Sequence, residues 1–125
     1  MTIESILKTY ENALNLADIE TILGLYGSAP VFMPQHAPAL IGRDAVRAGY
    51  EQVFNTLQFN IRFDIHEIEE AGDWAWVRTS SSGRTRLLAA DVEVTEGNNE
   101  LFVLRREHTG WKIHRYLFAT NQPRT

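Results

Sequence analysis

The chain has 125 residues, enough for one domain with a real core, and 44% of them are hydrophobic, which excludes a disordered chain. Lys and Arg number 12 against 16 Asp and Glu, a formal net charge of -4, which argues against nucleic acid as a partner because phosphate binding wants a basic face. No apolar run approaches the roughly 20 residues of a membrane-spanning helix, "MTIESILKTYENAL" does not read as a signal peptide, and there is no cysteine, so a cytoplasmic protein without a membrane partner is expected.

Residues 3–16 place Ile3, Ile6, Leu7, Tyr10, Ala13 and Leu14 at helical spacing, with Thr2 as the N-cap. A second, short helix follows Asp18 and carries Ile19, Ile22, Leu23 and Tyr26 on its apolar side, with Gly27 to end it. The segment "VFMPQHAPALIG" is a loop that begins as a short strand at 31–33 and is unusually apolar for its proline content. "GRDAVRAGYEQVF" reads as a third helix with Val46, Tyr50, Val53 and Phe54 on one stripe.

The period then changes. "LQFNIRFDIHE" alternates Leu57, Phe59, Ile61, Phe63 and Ile65 with polar residues, the mark of a strand with one wet face. "EAGD" is a turn, and "WAWVRTSSSGRTRLLA" is a long strand, bent or bulged at Gly83. "DVEVTEGNNE" reads as a loop, and "LFVLRRE" and "WKIHRYLFA" as a hairpin around "HTG". The order is α+β: three helices and an antiparallel sheet of about four strands. Both faces of "LFVLRRE" are apolar, so the sheet needs a cover on each side. Helices supply one, and a second copy of the chain is expected on the other, making a homodimer through the sheet face.

Three stretches carry a family resemblance: "YENALNLADIETILGLYGSAPVFMPQ", "LIGRDAVRAGYEQVF" and "NELFVLRREHTGWKIHRYLFATN". With these the chain resembles the SnoaL-like and ketosteroid-isomerase-like branches of the nuclear transport factor 2-like superfamily. The resemblance covers most of the chain, and residues 1–125 are expected to form one such domain. It implies three N-terminal helices packed in a strongly curved, cone-shaped antiparallel sheet with an apolar pocket in its mouth. The apolar loop then forms the rim, with Phe32, Met33, Leu40 and Ile41 turned inward. Tyr26, Tyr50, Phe54, Leu101, Val103, Tyr116 and Phe118 complete the expected lining.

Family isomerases use a helix-one tyrosine, a carboxylate base near the loop and a strand acid. The resemblance places the tyrosine at Tyr10, the base near Met33 and the acid near Leu101. Neither Met33 nor Leu101 can exchange a proton, and Glu100, one residue away, should face the opposite side of its strand. The steroid-isomerase acids are therefore expected to be absent. His36 and His114 are the substitute proton carriers, since an imidazole titrates near about 6.5. Each has a plainer reading, His36 as a solvent-facing loop residue and His114 as a residue of the dimer face. Tyr10 is equally natural as a core tyrosine. On the strand from Trp74, Val77 and Thr79 are assigned to the pocket and Trp76 to the interface, with the opposite parity left open. The histidines lack zinc spacing, and no Gly-rich phosphate loop or nucleophile elbow occurs, so no metal or cofactor is expected. The expected function is binding of a small apolar molecule, or weak catalysis upon it. The alternative is proton transfer on a polyketide- or steroid-like carbonyl compound.

Overall fold

The computed structural model describes residues 1–123 and 125. Helix α1 spans Ile3–Leu16, with Thr2 accepting the Ser5 N–H at 3.1 Å and Ala17 ending it in the left-handed conformation. Helix α2 spans Ile19–Leu25, capped by Asp18. It stops before Tyr26, not at Gly27, because Tyr26 is already extended and opens β1, Tyr26–Met33. Strand β2 is only Leu40–Ile41, and helix α3 is Arg43–Thr56. The Arg43 guanidinium donates to the carbonyls of Leu23 at 2.9 Å and Gly27 at 3.0 Å, so α3 satisfies the end of α2.

Four long strands follow: β3, Leu57–Ala71; β4, Trp74–Leu87; β5, Val92–Glu107; and β6, Gly110–Thr120. The sheet has six strands in the order β2-β1-β6-β5-β4-β3. Its pairs are antiparallel except β1 with β6, which run parallel. The helices pack inside its curve. Ile6, Leu7 and Tyr10 of α1, Ile22 and Leu23 of α2 and Val46 of α3 share one core with Val77, Phe102, Leu104 and Ile113 of the sheet.

Of the segment 91–100, expected as a loop, all but Asp91 forms the first half of β5. Its acids and asparagines hid a ladder in which Glu96, Asn98 and Glu100 lie opposite Gly83, Ser81 and Thr79. Gly83 carries no bulge, since the register runs through it unbroken on both sides. It marks a close approach instead: a Cβ there would lie 2.3 Å from the Asn60 carbonyl oxygen and 2.7 Å from the Ile61 Cα. Register shifts occur between Ile65 and Glu67 of β3, and on β5–β6 where Val103 pairs with Arg115 but Leu104 with Ile113. His114 is the extra residue of that second bulge.

Candidate functional site

A cavity opens at one end of the cone. Its mouth, about 960 Å³, lies between the 34–38 loop, the Ala45–Val53 face of α3, the inner face of β5 at Glu96 and Asn98, and Phe118 and Thr120 of β6. It leads to a deep chamber of about 90 Å³. Phe32, Val53, Leu57, Glu96, Asn98 and Phe118 line both parts. Only the chamber reaches Tyr10, Tyr50, Tyr116, Ser81 and Glu100. The walls of both parts are mostly apolar; the polar groups of the mouth are amides with His36, Glu96 and Thr120, and those of the chamber are hydroxyls and carboxyls with Asn98.

All four tyrosines of the chain meet behind and beside this chamber. The Tyr50 hydroxyl lies 2.7 Å from that of Tyr10 and 2.8 Å from that of Tyr26, and Tyr116 reaches the Tyr10 hydroxyl from β6. Burial raises all four above the ordinary phenol value, so they remain un-ionised donors. Tyr50 can donate to only one neighbour and must accept from the other. If Tyr26 donates to Tyr50 and Tyr50 to Tyr10, the Tyr10 proton is left for the chamber.

Opposite them stands Glu100, 4% exposed. Thr79 donates to one carboxyl oxygen at 2.7 Å and Ser81 to the other. Asn98 donates onward to Ser81 at 3.3 Å and to Glu96 at 3.2 Å, and Thr85 donates to the other oxygen of Glu96. Burial, reinforced by the like charge of Glu96 and opposed by the two hydroxyl donors, pushes the Glu100 carboxyl up to about 7. A buried carboxyl poised there exchanges protons at neutral pH.

This overturns one sequence expectation. The inner parity of β5 is even-numbered: Glu96, Asn98, Glu100, Phe102 and Leu104 face in. Leu101 and Val103 face out and border an outer groove with Trp74 and Trp76, so neither lines the pocket. The resemblance places an acid near Leu101, and Glu100, one residue earlier, is the carboxyl that faces in. The usable signal was that Glu100 shares its parity with Phe102, the bulkiest apolar residue of the strand.

Several other expectations are also corrected. His114 stacks edge-on against Trp74, with ring centroids 5.2 Å apart, on the outer face, because the bulge breaks the alternation that would have aligned it with Tyr116. Its Nδ1 is buried without a partner, and burial, aided by Arg115 and Arg105, holds the imidazole below its ordinary value. Met33 alternates with the buried Phe32 and lines neither part of the cavity, and Ile41 is 73% exposed. Phe54 borders a separate groove with Phe59 and Leu88. Tyr26, Val77 and Thr79 point inward but lie behind the lining, Tyr26 backing Tyr50 and Thr79 backing Glu100. His36 lies on the rim, exposed, with a left-handed φ of 61°. Tyr10, Phe32, Leu40, Tyr50, Tyr116 and Phe118 line the cavity. No group of three or more His, Cys, Asp or Glu among the described residues is arranged to hold a metal, and no described helix is long and apolar enough to cross a membrane.

The SnoaL-like domain profile matches residues 6–116, and the chain belongs to that family. Among solved structures it is similar to a ketosteroid isomerase-like protein from Erwinia carotovora atroseptica, with 33% identity, a TM-score of 0.92, and coverage of 97% of this chain and 95% of that one. A candidate dehydratase of the nuclear transport factor 2-like family from Streptomyces avermitilis is 18% identical, with a TM-score of 0.81 and coverage of 97% and 94%. A cystatin-like-fold protein from Nostoc punctiforme is 17% identical, with a TM-score of 0.77 and coverage of 97% and 76%. These two share the fold. A search of curated proteins found no match.

Proposed function

We propose that the protein binds a small, largely apolar molecule, its body in the mouth and one polar group in the chamber. The observation that carries this reading is the shape of the cavity: a mouth of about 960 Å³ with mostly apolar walls narrows onto tyrosine hydroxyls and the buried carboxyls of Glu96 and Glu100. Pockets of this kind hold ligands by burial and orient them by a few polar contacts. Native mass spectrometry of freshly purified protein tests it, alongside displacement of the neutral dye Nile red. Val53 stands where mouth and chamber join, and Val53→Trp should abolish dye binding while circular dichroism stays unchanged. Equal dye binding by the folded variant would sink the reading.

A second reading is proton transfer on a carbonyl compound, favoured by Glu100 near pH 7 beside Tyr10. Glu100 as carboxylate would take a proton from carbon next to the carbonyl and return it at another carbon, while Tyr10 donates to the developing oxyanion. Glu100 replaces His36 and His114 in this role, since one is on the rim and the other on the outer face. Exchange of deuterium from solvent into an enolisable ketone, lost in Glu100→Gln and Tyr10→Phe, is the expected result. No exchange above buffer in the wild type counts against it.

The homodimer also belongs to this proposal. Trp74 and Trp76 are 44% and 39% exposed beside Leu101 and Val103. The same face carries Glu69 and Arg105, opposite signs that a two-fold contact can pair. Trp76→Glu should convert a dimer to a monomer in light scattering; a wild-type monomer would refute the dimer.

A further inference from the structure

We infer that the ligand carries a protonated nitrogen, which enters the chamber beside Glu100 while its apolar body rests in the mouth. This rests on the binding reading above and narrows it to a chemical class, hydrophobic amines.

The first argument is charge. Among the described residues that line the mouth and chamber, none is Lys or Arg. Glu100 is held by Thr79 and Ser81, both hydroxyls and both donors to it, so the lining built around the carboxyl treats it as an acceptor. These donors carry no charge, and burial still raises the group to about 7. A cation placed beside it would supply the counter-charge and draw the carboxyl into its ionised form. A carboxylate or phosphate head would meet like charge there.

The second is the wall. Phe102, Tyr116, Phe32 and Tyr50 stack nearly parallel, with successive centroids 4.1, 5.4 and 4.8 Å apart and interplanar angles of 8°, 5° and 11°. Three of these rings line the chamber, with Phe118 beside them. These buried rings make a low-dielectric wall, in which an ion pair with Glu100 is stronger than it is in water. The third is size. At about 90 Å³ the chamber is a small fraction of the mouth, so it takes the ligand's head while the mouth takes its body.

The groups facing Glu100 leave it as the one that responds near neutrality. From β5 comes Glu96, of like sign. From α1, α3 and β6 come Tyr10, Tyr50 and Tyr116, kept protonated by burial. From β4 come Thr79 and Ser81, which do not titrate.

The test uses three probes on one scaffold: 2-naphthylmethylamine, 2-naphthylmethanol and 2-naphthoate, measured by calorimetry on the wild-type protein at about pH 8 and about pH 5.5. The amine should bind at least about tenfold more tightly than the alcohol at the higher pH, lose that advantage at the lower, and outcompete naphthoate throughout. Glu100→Gln should bring amine and alcohol to equal affinity at both pH values. The wild-type pH series decides the matter even where the variant does not fold. Alcohol binding as well as amine at high pH, or naphthoate binding best, overturns the inference and leaves the binding reading standing. If none of the three binds and Nile red does not either, both fall together.

Discussion

Thr79 and Glu100 stand directly opposite one another on β4 and β5, and the threonine hydroxyl donates to the carboxyl at 2.7 Å. This pair sits on the concave side of the sheet, where an acid is costly unless neutral or well bonded. The folded carboxyl is raised from 4.5 to about 7. The fold therefore binds this proton more tightly than the unfolded chain does. The resulting stability is complete below about pH 4.5 and is lost as pH rises through about 7. Relative to Glu100→Gln, the wild type should lose about 3 kcal/mol across that window, by urea melts at a series of pH values. Parallel pH profiles for the two proteins would contradict the raised carboxyl.

Tyr50 is the hub of the hydroxyl chain, bonded to both Tyr10 and Tyr26. Tyr50→Phe strands the buried Tyr26 hydroxyl and leaves Tyr10 with Tyr116 alone, and should cost about 2–3 kcal/mol, against about 1–2 kcal/mol for Tyr26→Phe at the end of the chain. Equilibrium denaturation checks the order; equal losses would mean that the hub has no special place.

Two glycines should respond in opposite directions. Gly83→Ala drives a Cβ into the backbone of β3 at Asn60 and should cost more than about 2 kcal/mol or prevent folding. Gly24 lies in α2, exposed, with nothing within 4 Å of a Cβ placed there, so Gly24→Ala should stabilise by about 0.5–1 kcal/mol. Thermal melting of the two variants settles the contrast.

Strand β3 is an edge of the sheet, and α1 closes part of it. Asn15 donates to the Ile61 carbonyl at 2.8 Å and accepts its N–H at 3.0 Å, while Glu11 accepts the Phe63 N–H at 2.8 Å. Asn15→Ala should cost about 1–3 kcal/mol and speed amide exchange at Ile61 above its neighbours. Unchanged exchange at Ile61 would remove the role.

The helices were legible because caps and apolar stripes coincide: Thr2, Asp18 and the Ile6–Tyr10–Ala13 face all stand where the sequence puts them. Strand β3 was legible through strict alternation, and Val77 and Thr79, assigned to the pocket, face in but lie behind its lining. What failed was parity. The first half of β5 was hidden because its inward residues are Glu96, Asn98 and Glu100, polar side chains that ordinarily mark solvent. Local pattern cannot tell a wet face from the polar wall of a cavity, and only the ladder with Thr79, Ser81 and Thr85 distinguishes them. His114 was misplaced for a related reason: a bulge adds one residue and no local signal announces it.

The two ends of the sheet share a property that bears on behaviour in concentrated solution. At one end β2 is two residues long and follows a segment holding Pro34 and Pro38; at the other, β3 has Ile61 and Phe63 tied to α1. A foreign strand looking for a template finds a stub at one edge and occupied donors and acceptors along part of the other. Growth of this sheet into fibrils by strand addition is thereby disfavoured while α1 stays docked, and the first step towards aggregation would be the undocking of that helix.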